Sequence, residues 1–246
     1  MKPYIYGSVN GIHVINLLQT VKQIEVVKAE LKELSASGKK ILFVATKIQS
    51  RDSFKKLAEE TGHHFVCEKW VPGLLTNFKT IRKRINAYIQ LLDESQNGGL
   101  NVLTKKEKAS KLLELEKLEK AFVGLKDMKK LPDILFVSDG IYEKQSLKEA
   151  KTLSIPAYAI FNTNGDIDLV KNMIPANTNS VKSFEYIAAD LKSSIVAPRG
   201  EKKSGLKVMD QEKVSGEKKP FVAKVTGEDT TSEEAPKAEE TETPEA

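Results

Sequence analysis

Apolar residues recur along this chain with two periods, and the alternation between them outlines the fold. Between 15 and 36, Ile15, Leu18, Val21, Ile24, Val27, Leu31 and Leu34 are spaced three or four apart, as on one face of an amphipathic helix. Gly38 is placed to stop it. ILFVA at 41–45 is a short β-branched and aromatic run, which predicts a strand buried on both faces. Residues 50–61 predict a helix with Phe54, Leu57 and Ala58 inward and Gly62 at its end. HFVC at 64–67, ILFVS at 134–138 and AYAIF at 157–161 predict further strands, with a short fifth near 172–174. Helices over 143–153, with Leu147, Ala150 and Leu153 on one face, and over 180–194 complete the series. Strands alternating with helices predict an α/β fold: a parallel sheet with helices on both faces.

Residues 76–130 interrupt that alternation. Ile81, Ile85, Tyr88 and Leu92 are spaced four, three and four; Leu115, Leu118, Phe122 and Leu125 are spaced three, four and three. Asn97-Gly98-Gly99 breaks the chain between the two stripes. The pattern predicts an inserted antiparallel coiled-coil α-hairpin. Six lysines and four glutamates between 105 and 120 mark a solvated outer face, and Pro132 resets the chain before the next strand. The expected organisation is an α/β domain from 1–75 and 131–196, a helical hairpin at 76–130, and a disordered, acidic C-terminal tail at 197–246.

Charge separates the tail from the rest. Residues 1–196 hold 30 bases and 22 acids, a net of +8; residues 197–246 hold 9 and 12, a net of −3. The last twenty residues carry eight acids and one base with almost no large apolar group, a composition that predicts disorder. A basic folded part points to a polyanionic partner. The 246-residue chain is long enough for one or two domains with a sizeable core. No apolar run approaches the ~18 residues of a membrane span. MKPYIYGSVNG has no secretory pattern, so no membrane partner is expected and the cytoplasm is the default compartment. The single cysteine, Cys67, excludes an internal disulfide and a Cys-rich zinc module.

The sharpest local feature is WVPGLLTNFKTIRKR at 70–84. Lys69, Lys79, Arg82, Lys83 and Arg84 lie between 69 and 92, where there is no acid. On a helix starting near Thr76, Lys79, Arg82 and Lys83 share a face. Thr76 and Asn77 are candidate N-caps, and a helix start offers free N–H groups to phosphate. Trp70 and Phe78 are candidates for stacking on bases or sugars. The bland alternative is a solvated surface helix.

Other chemistry is sparse. The strand ends offer Thr46, Lys47, Gln49, Asp139, Gly140, Asn162, Thr163 and Asn164, where an open α/β sheet binds ligands. A nucleotide- or ligand-binding module using that edge is the rival reading. Neither a G-x-G-x-x-G nor a Walker motif occurs, so no cofactor is expected. Asp166 and Asp168 suit helix capping better than a metal loop. On a strand His63 and Cys67 share one face and His64 takes the other, too few ligands for a metal site. His13, in an apolar stretch, reads as a structural histidine. With no nucleophile, base and oxyanion site together, an enzyme is not expected.

Five segments resemble one family. KPYIYGSVNGIHVINLLQTV (2–21), ILFVATK (41–47), WVPGLLTNFKTIRKRI (70–85), PDILFVSDGIYEKQSLKEAKTLSIP (132–156) and AYAIFNTNGDIDLVKNMIPANTNSVKS (157–183) are similar, in order, to the second protein of the bacterial small ribosomal subunit, the S-two family. The resemblance implies a flavodoxin-like sheet with a long α-hairpin. It implies a structural protein of the small subunit, seated where head meets body on the solvent side. Its implied partners are small-subunit rRNA and neighbouring ribosomal proteins, including the large first protein that captures mRNA. It implies that Lys79, Arg82, Lys83 and Arg84 neutralise phosphates and that Thr76 and Asn77 hydrogen-bond to the RNA backbone. Lys2, Lys47, Gln49 and Arg51 are second-rank contacts. The chain departs from the family in three places. It opens at the Lys-Pro-Tyr that usually follows a basic leading segment. It has Pro72-Gly73 where two glycines are usual, and Ser154 where glycine is commoner.

Overall fold

The computed structural model describes residues 1–195. The tail expected over 197–246 lies outside the described residues. A β-hairpin of β1 (Ile5–Val9) and β2 (Ile12–Ile15) opens the chain. Then follow α1 (Leu17–Ala36), β3 (Ile41–Val44), α2 (Ile48–Thr61) and β4 (His64–Val66). Helices α3 (Phe78–Gln96) and α4 (Lys105–Phe122) come next. They are followed by β5 (Ile134–Val137), α5 (Lys144–Thr152), β6 (Ala157–Phe161), β7 (Asn172–Pro175) and α6 (Val181–Lys192).

Strands β3 to β7 form one parallel sheet in the order β4-β3-β5-β6-β7. This is the doubly wound arrangement, and its order reverses between β3 and β5. The apolar runs supply both faces, because alternate residues of a strand point to opposite sides. One side, with Phe43, Phe65, Phe136, Tyr158, Ile160 and Ile174, packs against α1, α2 and α6. Phe54 of α2 is its hub, with ring centroids 5.6 Å from Phe136, 6.2 Å from Phe43 and 6.1 Å from Phe184. The other side, with Leu42, Val44, Leu135, Val137, Ala159 and Phe161, packs against α5, Leu74 and Leu75. Ile81, Ile85, Tyr88, Phe122 and Leu125 of the inserted segment join that same cluster.

The two inserted helices pair as the stripes predict. Lys111 meets Glu94 at 3.2 Å near the turn, and Arg82 donates to the Met128 carbonyl at 2.8 Å at the other end. A capping box between Thr104 and Glu107 starts α4. After α4 the chain crosses β4 so closely that a Cβ on Gly124 would lie 2.2 Å from the Phe65 carbonyl oxygen. Only glycine fits there, and the hairpin base is wedged against the sheet edge.

Three expectations fail. No strand was expected before 41, yet β1 and β2 pair antiparallel around Asn10-Gly11, with φ of +51° and +79°. Asn-Gly is the strongest short hairpin signal in a sequence, and here it was available. His13 is exposed on β2 rather than in the core. The α1 stripe is buried at Ile24, Val27 and Leu31, but Leu18 is 76% and Val21 50% exposed. The buried face runs instead through Thr20, Ile24, Val27, Leu31 and Ser35, with the Thr20 hydroxyl donating to the Pro175 carbonyl of β7 at 2.7 Å, which leaves Leu18 and Val21 to one side of it. Among the described residues no helix is long and apolar enough to cross a membrane.

Two stability predictions follow from buried and strained positions. Buried His63 accepts a hydrogen bond from the Ile41 N–H through Nδ1, and its Nε2 has no partner. Burial, then the charges of Lys40 and His64, push its pKa down to about 4. Because the folded state binds this proton less readily than the unfolded chain, its stabilisation is complete above pH 6.5 and is lost as pH falls towards 4. The loss amounts to about 3 kcal/mol in urea unfolding. His63→Leu removes this slope; a wild-type stability constant from pH 7 to 4.5 would contradict the assignment. Ser154 holds a left-handed backbone, φ +55°, at the position where the resemblance expects glycine. Ser154→Gly relieves that strain and raises stability by up to about 1 kcal/mol, visible as a higher Tm. A lowered Tm would show that the serine is not strained.

Candidate nucleic-acid interface

The segment between β4 and α3 is organised around a buried carboxylate from another element. Glu149 of α5 is 4% exposed. Its Oε1 accepts from Trp70 Nε1 at 3.1 Å and from the Gly73 N–H at 2.9 Å. Its Oε2 accepts from the Leu75 N–H at 3.0 Å and the Thr76 N–H at 3.4 Å. Burial by itself raises the pKa of this carboxyl. The donors of Gly73, Trp70, Leu75 and Thr76 outweigh it and hold the group below the ordinary glutamate value. Hydrogen bonds to a charged group contribute about 1.5–3 kcal/mol each. Pro72-Gly73 forms the centre of a turn closed by Leu74 N–H to Val71 O at 3.0 Å. Gly73 has φ +85°, the conformation that a type II turn demands after proline. The dipeptide that departs from the family pattern thus makes a regular turn.

This arrangement shifts one expectation and overturns another. Glu149 takes the N–H groups of Leu75 and Thr76, which precede the helix; the N–H groups of α3 itself begin at Phe78, two residues later than the start expected at Thr76. Trp70 cannot stack on a base: it is 7% exposed and its indole N–H is engaged. Phe78 is half-buried against the same cluster. Asn77 stands at the N-cap of α3 but makes no side-chain capping bond, and Thr76 is exposed beside it.

The bases separate into two kinds. Arg82 is half-buried and spent on the chain itself, donating to the carbonyls of Met128 at 2.8 Å and Lys126 at 3.5 Å. Lys79, Lys83 and Arg84 are exposed and have no ion pair or hydrogen bond among the described residues. Arg82 also brings the 126–130 segment to the start of α3. Exposed Lys129 and Lys130 therefore stand at the same end of the hairpin as Lys79 and Lys83. Sequence spacing could not reveal this, since more than forty residues intervene; the paired stripes that fold the hairpin were the available signal.

The second-rank residues lie elsewhere. Lys2 is exposed in the opening turn. Lys47 pairs with Asp139 at 2.9 Å and donates to Asn179 Oδ1 at 2.8 Å. Gln49 is half-buried in the first turn of α2. Arg51 pairs with Glu68 at 2.9 Å and reaches the Thr46 carbonyl at 3.4 Å. Lys47 and Arg51 are thus already neutralised from within the chain.

At the sheet's carboxyl edge, where the rival ligand site would sit, the ends of β3 and β5 are occupied by their own side chains, whereas Asn162 and Thr163 after β6 line an open groove with β2 and α1. Besides the Lys47–Asp139 pair, the Thr46 hydroxyl and N–H both donate to buried Glu143. Burial raises the Glu143 pKa. Ser50 and Ser138 hydroxyls meet at 2.8 Å. Asp139 Oδ1 accepts from the N–H groups of Ile141 and Tyr142 at 3.0 and 3.2 Å. Asp166 caps a short 3-10 turn by accepting from the Asp168 N–H. Cys67 is buried with its thiol pKa pushed up to about 12, which leaves it inert.

A basic helix start on a doubly wound sheet agrees with two sequence comparisons. The family model for Ribosomal protein S2 matches residues 1–197. The small ribosomal subunit protein uS2 of Coprothermobacter proteolyticus is 40% identical over 215 residues, which is 87% of this chain and 80% of the relative. With the family model spanning all the described elements, this chain belongs to the ribosomal protein S2 family, the non-enzymatic structural proteins of the small ribosomal subunit.

Proposed function

We propose that this structural protein of the small ribosomal subunit grips rRNA phosphates with Lys79, Lys83 and Arg84, and that Lys129 and Lys130 extend the grip. The observation that carries this reading is the contrast among the bases. Those at the start of α3 are exposed and free of acids, whereas Lys47 and Arg51 are neutralised internally. Arg82 serves by holding the hairpin rather than by touching RNA. Phosphate contact is sequence-independent, so rRNA shape and the neighbouring proteins set the register.

Protein partners fit a different face. Tyr6, Ile12, Leu17 and Leu18 are each more than 70% exposed, and apolar surface of that kind suits contact with protein rather than phosphate. The partner class is a neighbouring small-subunit protein, the large mRNA-capturing first protein among them.

Binding to small subunits stripped of their own S2 protein tests both faces. Lys79→Ala with Lys83→Ala weakens binding roughly tenfold at moderate salt and lowers the slope of log K against log salt by about 1.5. An unchanged slope would refute phosphate contact by this face. Leu17→Ser with Leu18→Ser weakens binding and leaves the slope as it was; wild-type affinity in that variant would refute the apolar contact.

A further inference from the structure

The N–H groups of Gly73, Leu75 and Thr76 converge on one point, as they do in loops that cradle a phosphate. Here the point is occupied by Glu149, a side chain 73 to 76 residues away in sequence. The indole N–H of Trp70 adds a fourth donor. Thr76 is followed at once by Asn77 and α3, so the last donor lies three residues before Lys79. Leu74 and Leu75, both buried, fix the loop against the sheet face that also receives Leu147 and Ala150 of α5. The loop therefore has one polar anchor and one apolar anchor, and both involve α5.

We propose that Glu149 is a positioning residue for rRNA binding: an internal anion that holds the 70–76 loop closed and so fixes where the first turn of α3 presents Lys79 and Lys83. The inference rests on the proposed phosphate grip of α3 and deepens it. A neutral side chain of the same shape does not substitute. A glutamine presents one oxygen and one NH2 group to four donors, so at least one donor faces another donor. The Gly73 turn loses a partner, and the loop no longer dictates the direction of the helix. Glu149 touches no RNA in this account and acts only through the loop.

Trp70 is the chain's single tryptophan, so its fluorescence reports on this loop alone. In Glu149→Gln the Trp70 emission shifts to the red. Affinity for stripped small subunits falls roughly tenfold, and the salt slope drops as the helix-start contacts are lost. Leu57→Ala, buried on the opposite face of the sheet, serves as the stability control. It lowers Tm while the Trp70 emission, affinity and slope stay at wild-type values for the folded fraction. Lys79→Ala with Lys83→Ala lowers affinity and slope with no change in Trp70 emission. Wild-type affinity and slope in Glu149→Gln, with the double-lysine variant weakened, would overturn the positioning role and leave the phosphate grip standing. An unaffected double-lysine variant would overturn the grip itself, and the positioning role with it. If Glu149→Gln does not fold, Trp70→Phe removes one donor and keeps an aromatic ring. It is expected to weaken binding in the same direction, and wild-type affinity there overturns the proposal.

Discussion

The Glu149 carboxylate is the constraint on which the basic end of the molecule depends. Its donors lie in the loop between β4 and α3, and its own helix lies between β5 and β6. Removing a carboxylate from water is costly unless every lone pair is used. Four donors from a single seven-residue segment meet that cost, and the loop is left with little freedom. The anchor also decides what the helix start can do. The loop's backbone donors are taken by Glu149, so an anion at this end meets the first turn of α3 and the side chains it carries rather than the loop.

The frame behind that anchor is a sheet with two dry faces. Each strand contributes to both clusters, so the sheet cannot shift register without exposing one of them. The inserted hairpin is not hung on this frame by its ends alone. Tyr88, Phe122 and Leu125 share a cluster with Val44 and Val137, and Gly124 lets the returning chain touch β4. Arg82 closes the base by donating to two carbonyls. Within a run of four bases, Arg82 is thus engaged by the chain itself, while Lys79, Lys83 and Arg84 are exposed.

Most of the sheet was legible from short apolar runs, because strands buried on both faces have no polar alternation to blur them. The hairpin was legible from two heptad-like stripes. The β1–β2 hairpin is marked only by Asn10-Gly11, because the apolar positions Ile5, Tyr6 and Val9 do not alternate along β1, whose register shifts between Ile5 and Gly7. The exposure of Leu18 and Val21 was not legible: the buried face begins with polar Thr20, whose hydroxyl finds the Pro175 carbonyl of β7, and an apolar stripe cannot show that. The candidate interface was legible as a cluster of charges. The division of labour within it was not, because Arg82 finds Met128 and Trp70 finds Glu149 across 46 and 79 residues of sequence. Contacts of that range follow from the fold rather than from spacing.

The central claim is that the anchored start of α3 faces rRNA. An electron cryomicroscopy map of small subunits carrying this chain tests it most directly. The account predicts the ammonium groups of Lys79 and Lys83 against rRNA phosphates, Arg82 on the Met128 carbonyl, and the Trp70–Thr76 loop closed on Glu149. A map in which Lys79 and Lys83 point into solvent while another surface of the chain meets the rRNA would contradict it.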